Sequence, residues 1–416
     1  MNDLQYMMIN IPPMLSGQEL ISALSVFPQY DAAIRNENQA VRLMALSDLY
    51  RLYVPSTMSI EIYSKLYLAL LRSMQKKATQ IAVKQHYENY KAIQSQEYRG
   101  IIGGSDSFTI IGTSGIGKSS AIMRAIELIV EDNTIQFEKP YTKIIPCVIV
   151  QCPFDSSVKG LLLEILRKVD ESLESNYYNN AVRSRATTDM LIGSVSQVAL
   201  NHIGMLIVDE IQSVVNSKNG KSLIGSLTQL INNSGISICM VGTPECTMFF
   251  ESAMQLARRS VGLQYSTMPY DAYFESFCKV VFCYQYVQRE TEITPAMTEW
   301  LYQHSAGVVS VVVSLIHDAQ EIAILTGQEV LDLETLNQAY KQRLSLLHGY
   351  IQPTVIHNGQ SSTPKKKTTA ASMINESDEK NSNQKSIADL VLQAKTENLD
   401  IVSLLKEYFV IVEVAV

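Results

Sequence analysis

Eight consecutive residues, Gly112-Thr113-Ser114-Gly115-Ile116-Gly117-Lys118-Ser119, spell G-x-x-x-x-G-K-[ST] in full. Glycines at these places let the backbone fold tightly and turn several N–H groups toward one anion, and a following helix start adds its dipole. The pattern assigns residues 112 to 120, through Ser120, to a phosphate cradle. Lys118 would reach the β- and γ-phosphates and Ser119 would ligate Mg²⁺. A second constellation is Met205-Leu206-Ile207-Val208-Asp209-Glu210. Four apolar residues read as a buried strand, and two acids emerge where it ends, at the carboxyl edge of a sheet. Asp209 there would hold Mg²⁺ through water, and Glu210 would polarise a water attacking the γ-phosphate. Ile236 to Val241 is another apolar run, ending in Gly242-Thr243-Pro244-Glu245, and the Thr243 hydroxyl at that strand end would sense the γ-phosphate. Arg258 and Arg259 follow on an expected helix from about Thr247 to Ser260. Adjacent helical residues point about 100° apart, so one of the two would reach a neighbour's nucleotide as an arginine finger.

These residues need a strand before the glycine loop and a helix after it. Phe108 to Ile111 supplies the first, and Ser120 to Val130, with Ile122, Ala125, Ile126 and Ile129 on one face, supplies the second. The strands are expected over Thr109–Gly112, the one before the loop, and over Lys143–Gln151, Met205–Val208 and Ile236–Val241, alternating with helices. That alternation predicts an α/β core with a parallel sheet covered on both faces over residues 100–268. Before it, residues 1–99 read as helical. Ser16-x-x-Glu19 is written like a capping box, a helix is expected from Glu37 until Pro55 stops it, and Ser59 to Lys77 carries Ile62, Leu66, Leu70 and Met74 at helical spacing. This region reads equally as a docking module and as a packing subdomain. After the core, residues 269–350 turn helical, with Thr294-Pro295 as a start, Gly327 as a stop and Asp332 as the next cap, which is the shape of a small lid. Residues 351–385 change to Ser, Thr, Asn, Lys and Pro and are expected to be a disordered linker, in which Pro364-Lys365-Lys366-Lys367 reads as solvated chain. Residues 386–416 regain an amphipathic pattern and end in Tyr408-Phe409-Val410-Ile411-Val412. They read as a partner-binding hook, with a strand that folds back as the alternative.

The 416 residues carry a net charge of -7. Bulk electrostatics therefore give no reason to expect nucleic acid, and any such contact must come from a local basic surface. No signal peptide is visible, and the longest apolar run, around Val308 to Ile316, is too short for a bilayer. A cytoplasmic location without membrane is expected. The six cysteines (Cys147, Cys152, Cys239, Cys246, Cys278 and Cys283) contain no C-x-x-C pair, so no zinc site is expected.

The order of phosphate loop, acid-ending strand, hydroxyl-ending strand, arginine pair and helical lid resembles the AAA+ P-loop ATPases. Finer wording resembles the TnsC/TniB family: "RLMALSDLYRLYVPSTMSIEIYSKLYLALLRSM", "CPFDSSVKGL", "GMLIVDEIQS", "MVGTPE" and "ARRS", within about residues 35 to 345. That resemblance implies an ATPase, with ATP and Mg²⁺, that regulates transposition and assembles on duplex DNA as a ring or helical filament. It would recognise a target marked by a TniQ- or TnsD-like selector and recruit TnsA/TnsB-like transposase subunits, with hydrolysis driving disassembly. The C-terminal tail is the expected contact for the transposase. The resemblance also places DNA contacts in loops and helix starts between the phosphate loop and the acidic strand, which here points to Lys159, Arg183, Arg185 and Thr187. Related proteins carry a basic residue in the lid shortly after a glycine. Ser305-Ala306-Gly307-Val308-Val309-Ser310 has none, so this lid is expected to respond to nucleotide through packing. Two other jobs suit the same motifs, a replication-initiator or helicase-loader ATPase and a nucleotide-gated scaffold with little hydrolysis. Glu210 speaks against the scaffold, because a pure binder needs no water-orienting acid.

Overall fold

The computed structural model describes residues 11–78, 107–130, 134–138, 141–215, 217–247 and 262–344. The expected linker and tail, the helix bearing Arg258 and Arg259, and the segment leading to Tyr98 lie outside them. At the centre is a six-stranded sheet in the order β2-β3-β4-β5-β1-β6. The strands are β1 (Phe108–Gly112), β2 (Ile135–Glu138), β3 (Tyr141–Gln151), β4 (Ile203–Asp209), β5 (Ser237–Gly242) and β6 (Leu263–Tyr265). β3, β4, β5, β1 and β6 run parallel, and β2 is an antiparallel edge hairpin on β3. The order sets the glycine-loop strand β1 between β5 and β6, with the acid-ending strand β4 one further along. This is an α/β arrangement with a P-loop type of strand order.

β1 and β5 are buried along their whole length and β4 as far as Val208, so they read as near-continuous apolar runs, with Thr109 in β1 and Ser237 at the start of β5 as buried polar residues. The two-residue period divides these side chains between two cores. Leu206, Val208, Ile238 and Met240 face one core with helices α5 (Val158–Leu173), α7 (Thr188–His202) and α8 (Gly220–Ser234). Met205, Ile207, Cys239 and Val241 face the other, with α1 (Gly17–Leu24), α3 (Thr57–Ala78) and α4 (Lys118–Ile129). Ile62, Leu66, Leu70 and Met74 of α3 lie in that second core, packed on the sheet itself. Gly204 permits the approach: a Cβ there would meet the Pro146 carbonyl at 2.5 Å and Leu70 Cδ1 at 2.9 Å. Ser73 Oγ donates to the Gly204 carbonyl at 2.5 Å.

A third core belongs to the lid, built from α9 (Ala272–Phe282), α10 (Pro295–Ser305), α11 (Val309–Thr326) and α12 (Leu333–Arg343). Thr294 and Asp332 cap α10 and α12 as their spacing predicts, and Gly327 ends α11 in left-handed conformation at φ 75°. Leu46 and Leu49 of the N-terminal region join this lid core. Arg42, 3% exposed, forks onto both Glu329 oxygens at 2.6 and 2.7 Å and donates to the Tyr286 carbonyl at 3.0 Å. One stretch of chain thus packs on the sheet through α1 and α3 and on the lid through the residues between them.

Three local expectations change. Ser16 precedes α1, but its side chain makes no capping bond. Gly17 follows at φ +55°, outside helical geometry, so the first turn does not present its N–H groups to the hydroxyl. The helix expected from Glu37 to Pro55 is instead α2 (Gln39–Ala45), capped by Asn38, followed by a 3₁₀ turn over Leu46–Arg51. Residues three apart share a side of a 3₁₀ helix, which lets Leu46 and Leu49 enter the lid core together. The apolar run at Val308 to Ile316 sits in an 18-residue helix, α11, which by length and composition alone would suit a bilayer. It packs within the lid core, and its fully buried Gln320 accepts from the Tyr286 N–H at 2.7 Å and donates to the Tyr284 carbonyl at 3.0 Å.

Candidate nucleotide site

The carboxyl ends of β1, β5 and β4 converge. Ile111 pairs with Gly242 and Val208 with Met240, so the glycine loop, Thr243 and the Asp209-Glu210 pair emerge side by side. Gly115 and Gly117 take φ of 80° and 95°, the left-handed region that side chains rarely adopt. Gly117 precedes α4 with no side-chain cap, leaving first-turn N–H groups for an anion. Gly112 is fixed for another reason, because a Cβ there would meet Ile116 Cδ1 at 2.7 Å and the Tyr265 carbonyl at 3.0 Å.

Lys118 folds back over the loop and donates to the carbonyls of Gly112 (2.8 Å) and Thr113 (2.9 Å). Desolvation pulls its pKa below the ordinary lysine value, while Asp209 and Glu210 favour the charged form. Ser119 Oγ donates to Asp209 Oδ2 at 2.7 Å. These two oxygens, hydroxyl and carboxylate, are hard donors at one point beside the loop, a donor set that fits Mg²⁺. Asp209 Oδ1 accepts from the Glu210 N–H at 2.8 Å. Glu210 itself is exposed and sits at φ 58°, an uncommon conformation for a non-glycine residue and one that re-aims its side chain at the strand end.

Two parts of the site were not read from the sequence. Gln212 donates through Nε2 to a Glu210 carboxylate oxygen, and its own Oε1 is buried with no partner. The amide lies beside Gly242, whose hypothetical Cβ would stand 3.3 Å from that Oε1. An acceptor buried beside Glu210 without a protein donor is an uncommon arrangement. No motif signals it, although a glutamine two residues after the acid pair was visible. The second part is a cavity of about 210 Å³ alongside the loop, lined by Tyr53, Val54, Met58, Gly117, Phe277 and Val313. Its wall is shared by the N-terminal segment, the glycine loop and the lid, three stretches that only the fold joins. The lid also touches the loop directly, since the Ser310 N–H donates to the Gly115 carbonyl at 3.1 Å.

Thr243 is half-buried at the end of β5, and its Oγ1 donates to Glu245 at 3.4 Å. Arg258 and Arg259 lie outside the described residues. Lys159 is exposed in the first turn of α5. Arg183 ends α6 (Tyr177–Arg183), and Arg185 is exposed at φ 50° in the turn after it. Thr187 accepts from the Met190 N–H at 3.4 Å and so caps α7. The thiols of Cys147 and Cys278 are both pushed up to about 12 by burial, and they behave as small apolar groups.

Residues 103–266 match the model of the family described as bacterial TniB protein. The core of this chain is of the TniB type. Comparison with curated proteins finds no match. Among solved structures, the chain is similar to the Orc1 protein of Aeropyrum pernix in complex with DNA (12% identity, TM-score 0.40, 60% of this chain and 62% of that one). It is similar also to Cdc6p from Pyrobaculum aerophilum (12% identity, TM-score 0.41, 57% and 60%). A third likeness is to Drosophila ORC bound to DNA (13% identity, TM-score 0.44, 80% and 70%). The chain spans about three fifths of the length of the first two.

Proposed function

We propose that this TniB-type chain is an ATPase that uses Mg²⁺, oligomerises on duplex DNA as a ring or filament, and regulates transposition. It would link a TniQ- or TnsD-like target selector to TnsA/TnsB-like transposase subunits in the cytoplasm, and come apart as ATP is hydrolysed to ADP and phosphate. The observation that carries the nucleotide part is the 2.7 Å bond between Ser119 and Asp209, ninety residues apart, which assembles a metal-binding pair beside an uncapped helix start. The family match over residues 103–266 supports the finer assignment to transposition.

In this reading Lys118 leaves the Gly112 and Thr113 carbonyls for the phosphate oxygens. Ser119 and Asp209 would hold Mg²⁺, which would supply charge neutralisation for the bound phosphates. Glu210 takes a proton from the attacking water once Gln212 no longer occupies its carboxylate. Thr243 orients that water, and Arg258 or Arg259 acts on the nucleotide of an adjacent copy. The cavity beside Gly117 takes the nucleoside. Lys159, Arg183, Arg185 and Thr187 are the proposed contacts to the duplex. The core with its N-terminal helices, the lid, and the linker with its hook are the proposed division of labour.

Phosphate release from wild type and Glu210→Gln, with and without duplex DNA, tests the reading. The expected result is DNA-stimulated release that the substitution abolishes while nucleotide binding persists. Equal release from both proteins would leave a nucleotide-gated scaffold.

A further inference from the structure

Phe154 is 95% exposed, more than any other large apolar side chain among the described residues. Its loop is nevertheless firmly built. Ser156 N–H donates to the Pro153 carbonyl at 2.8 Å, closing a tight turn with Phe154 at its tip. Ser156 is fully buried at φ 51°. Asp155 Oδ1 accepts from the Ser157 N–H at 3.0 Å, and Ser157 Oγ accepts from the Gly160 N–H at 3.1 Å to cap α5. The Asp155 carbonyl accepts from Ser217 Oγ at 2.9 Å and Asn219 Nδ2 at 3.2 Å, which ties residues 217 and 219 to the turn. An aromatic ring held out by hydrogen bonds on both sides is presented.

Its surroundings decide to what. Lys159, Lys218 and Lys221 are all exposed on the same two chain segments, against one acid, Asp155, whose carboxylate the turn already uses. Neither segment carries another exposed large apolar side chain. A protein-docking patch would group apolar residues, whereas a single aromatic among lysines and small polar groups suits nucleic acid, with the ring on bases and the ammonium groups on phosphates. The turn is also wired to the nucleotide centre. Gln151 pairs with Asp209 in the sheet, and the Cys152 N–H donates to the Asp209 carbonyl at 2.8 Å.

We infer that Phe154 is a wedge inserted between base pairs of duplex DNA, seated by phosphate contacts from Lys159, Lys218 and Lys221, and that its position follows the occupancy of the Asp209 site. The inference rests on the reading of this chain as a DNA-binding ATPase and names its contact surface. The test uses the full chain with a non-hydrolysable ATP analogue and a duplex containing 2-aminopurine, whose fluorescence rises on unstacking. Wild type is expected to bind and brighten the probe. Phe154→Ala is expected to bind roughly tenfold more weakly with no brightening, and Phe154→Trp to recover both. Lys218→Ala and Lys221→Ala are each expected to lower the salt slope of binding by about one. Thermal unfolding of Phe154→Ala at the wild-type midpoint excludes a folding defect. Wild-type affinity and brightening in Phe154→Ala would overturn the wedge and leave DNA binding intact. Loss of self-association by Phe154→Ala without DNA would overturn it in favour of a contact between copies. A wild type that binds no duplex would remove the wedge and the underlying reading together.

Discussion

Lys118 is bonded to the Gly112 and Thr113 carbonyls of the glycine loop and Gln212 to Glu210, and in the proposed reading each releases its partner before the site works. Phosphate oxygens there replace the two carbonyls as acceptors for Lys118 once nucleotide enters. Lys118→Ala removes charge-assisted bonds worth about 1.5–3 kcal/mol, so titration calorimetry should show nucleotide affinity at least tenfold weaker. Unchanged affinity would remove the phosphate-binding role. Gln212 is not legible in the sequence, because nothing there distinguishes a restraining amide from any polar residue after a strand. Its significance lies in the orphaned Oε1 and in the bond to Glu210, both products of folding. If that bond restrains the base, Gln212→Ala should raise DNA-independent phosphate release by roughly 3- to 10-fold, equivalent to about 1 kcal/mol of barrier. A fall in release would show that the amide positions Glu210 productively.

Strands buried on both faces and capped helices were legible, because β4 and β5 are apolar almost without interruption and Thr294 and Asp332 have one sensible place. The short edge strands β2 and β6 were not, since three or four residues carry too little pattern to separate from loop. The division of the N-terminal region was hidden for a different reason: Leu46, Leu49 and Leu70 all look like core, and only the fold says which core. The Arg42–Glu329 pair belongs to this level. Both side chains are largely covered, at 3% and 15% exposure, so Glu329→Gln strands a buried guanidinium and should cost about 3–5 kcal/mol in unfolding experiments. The hydrogen bond from Arg42 lowers the Glu329 pKa below 4.5. The carboxylate's contribution is therefore complete above the unfolded value near 4.5, and it disappears as pH falls through the lower folded value. Wild type and Glu329→Gln should converge in stability in strong acid, and a constant difference across that range would contradict the pairing. The lid contact offers a second check on elements. Gly115 sits at φ 80°, and a Cβ there would strike Ser310 Oγ and Val308, so Gly115→Ala should weaken nucleotide binding by driving loop and lid apart.

At the scale of the molecule, the proposed function requires a chain with net charge -7 to hold DNA through small basic surfaces repeated across many copies. Repetition converts weak single contacts into firm attachment, because each copy that docks raises the effective concentration of the next. Nucleotide would govern that attachment from the place where loop, lid and N-terminal segment share one cavity, and a copy's arginine would complete its neighbour's site. Negative-stain images of the full chain with ATP and duplex should therefore show rings or filaments that dissolve as ATP is spent. Glu210→Gln should hold its assemblies for hours, since it binds nucleotide without removing it. Binding should weaken steeply with salt, each neutralised phosphate adding about 0.9 to the log–log slope, and the slope for an assembly should exceed what the five basic residues Lys159, Arg183, Arg185, Lys218 and Lys221 of one copy could supply. Arg258→Ala and Arg259→Ala separate two steps: the finger's loss should stop hydrolysis while assembly on DNA persists, and loss of the other arginine should leave both intact. A wild-type protein that stays monomeric with ATP and duplex together would refute assembly on DNA, even with the nucleotide site fully functional.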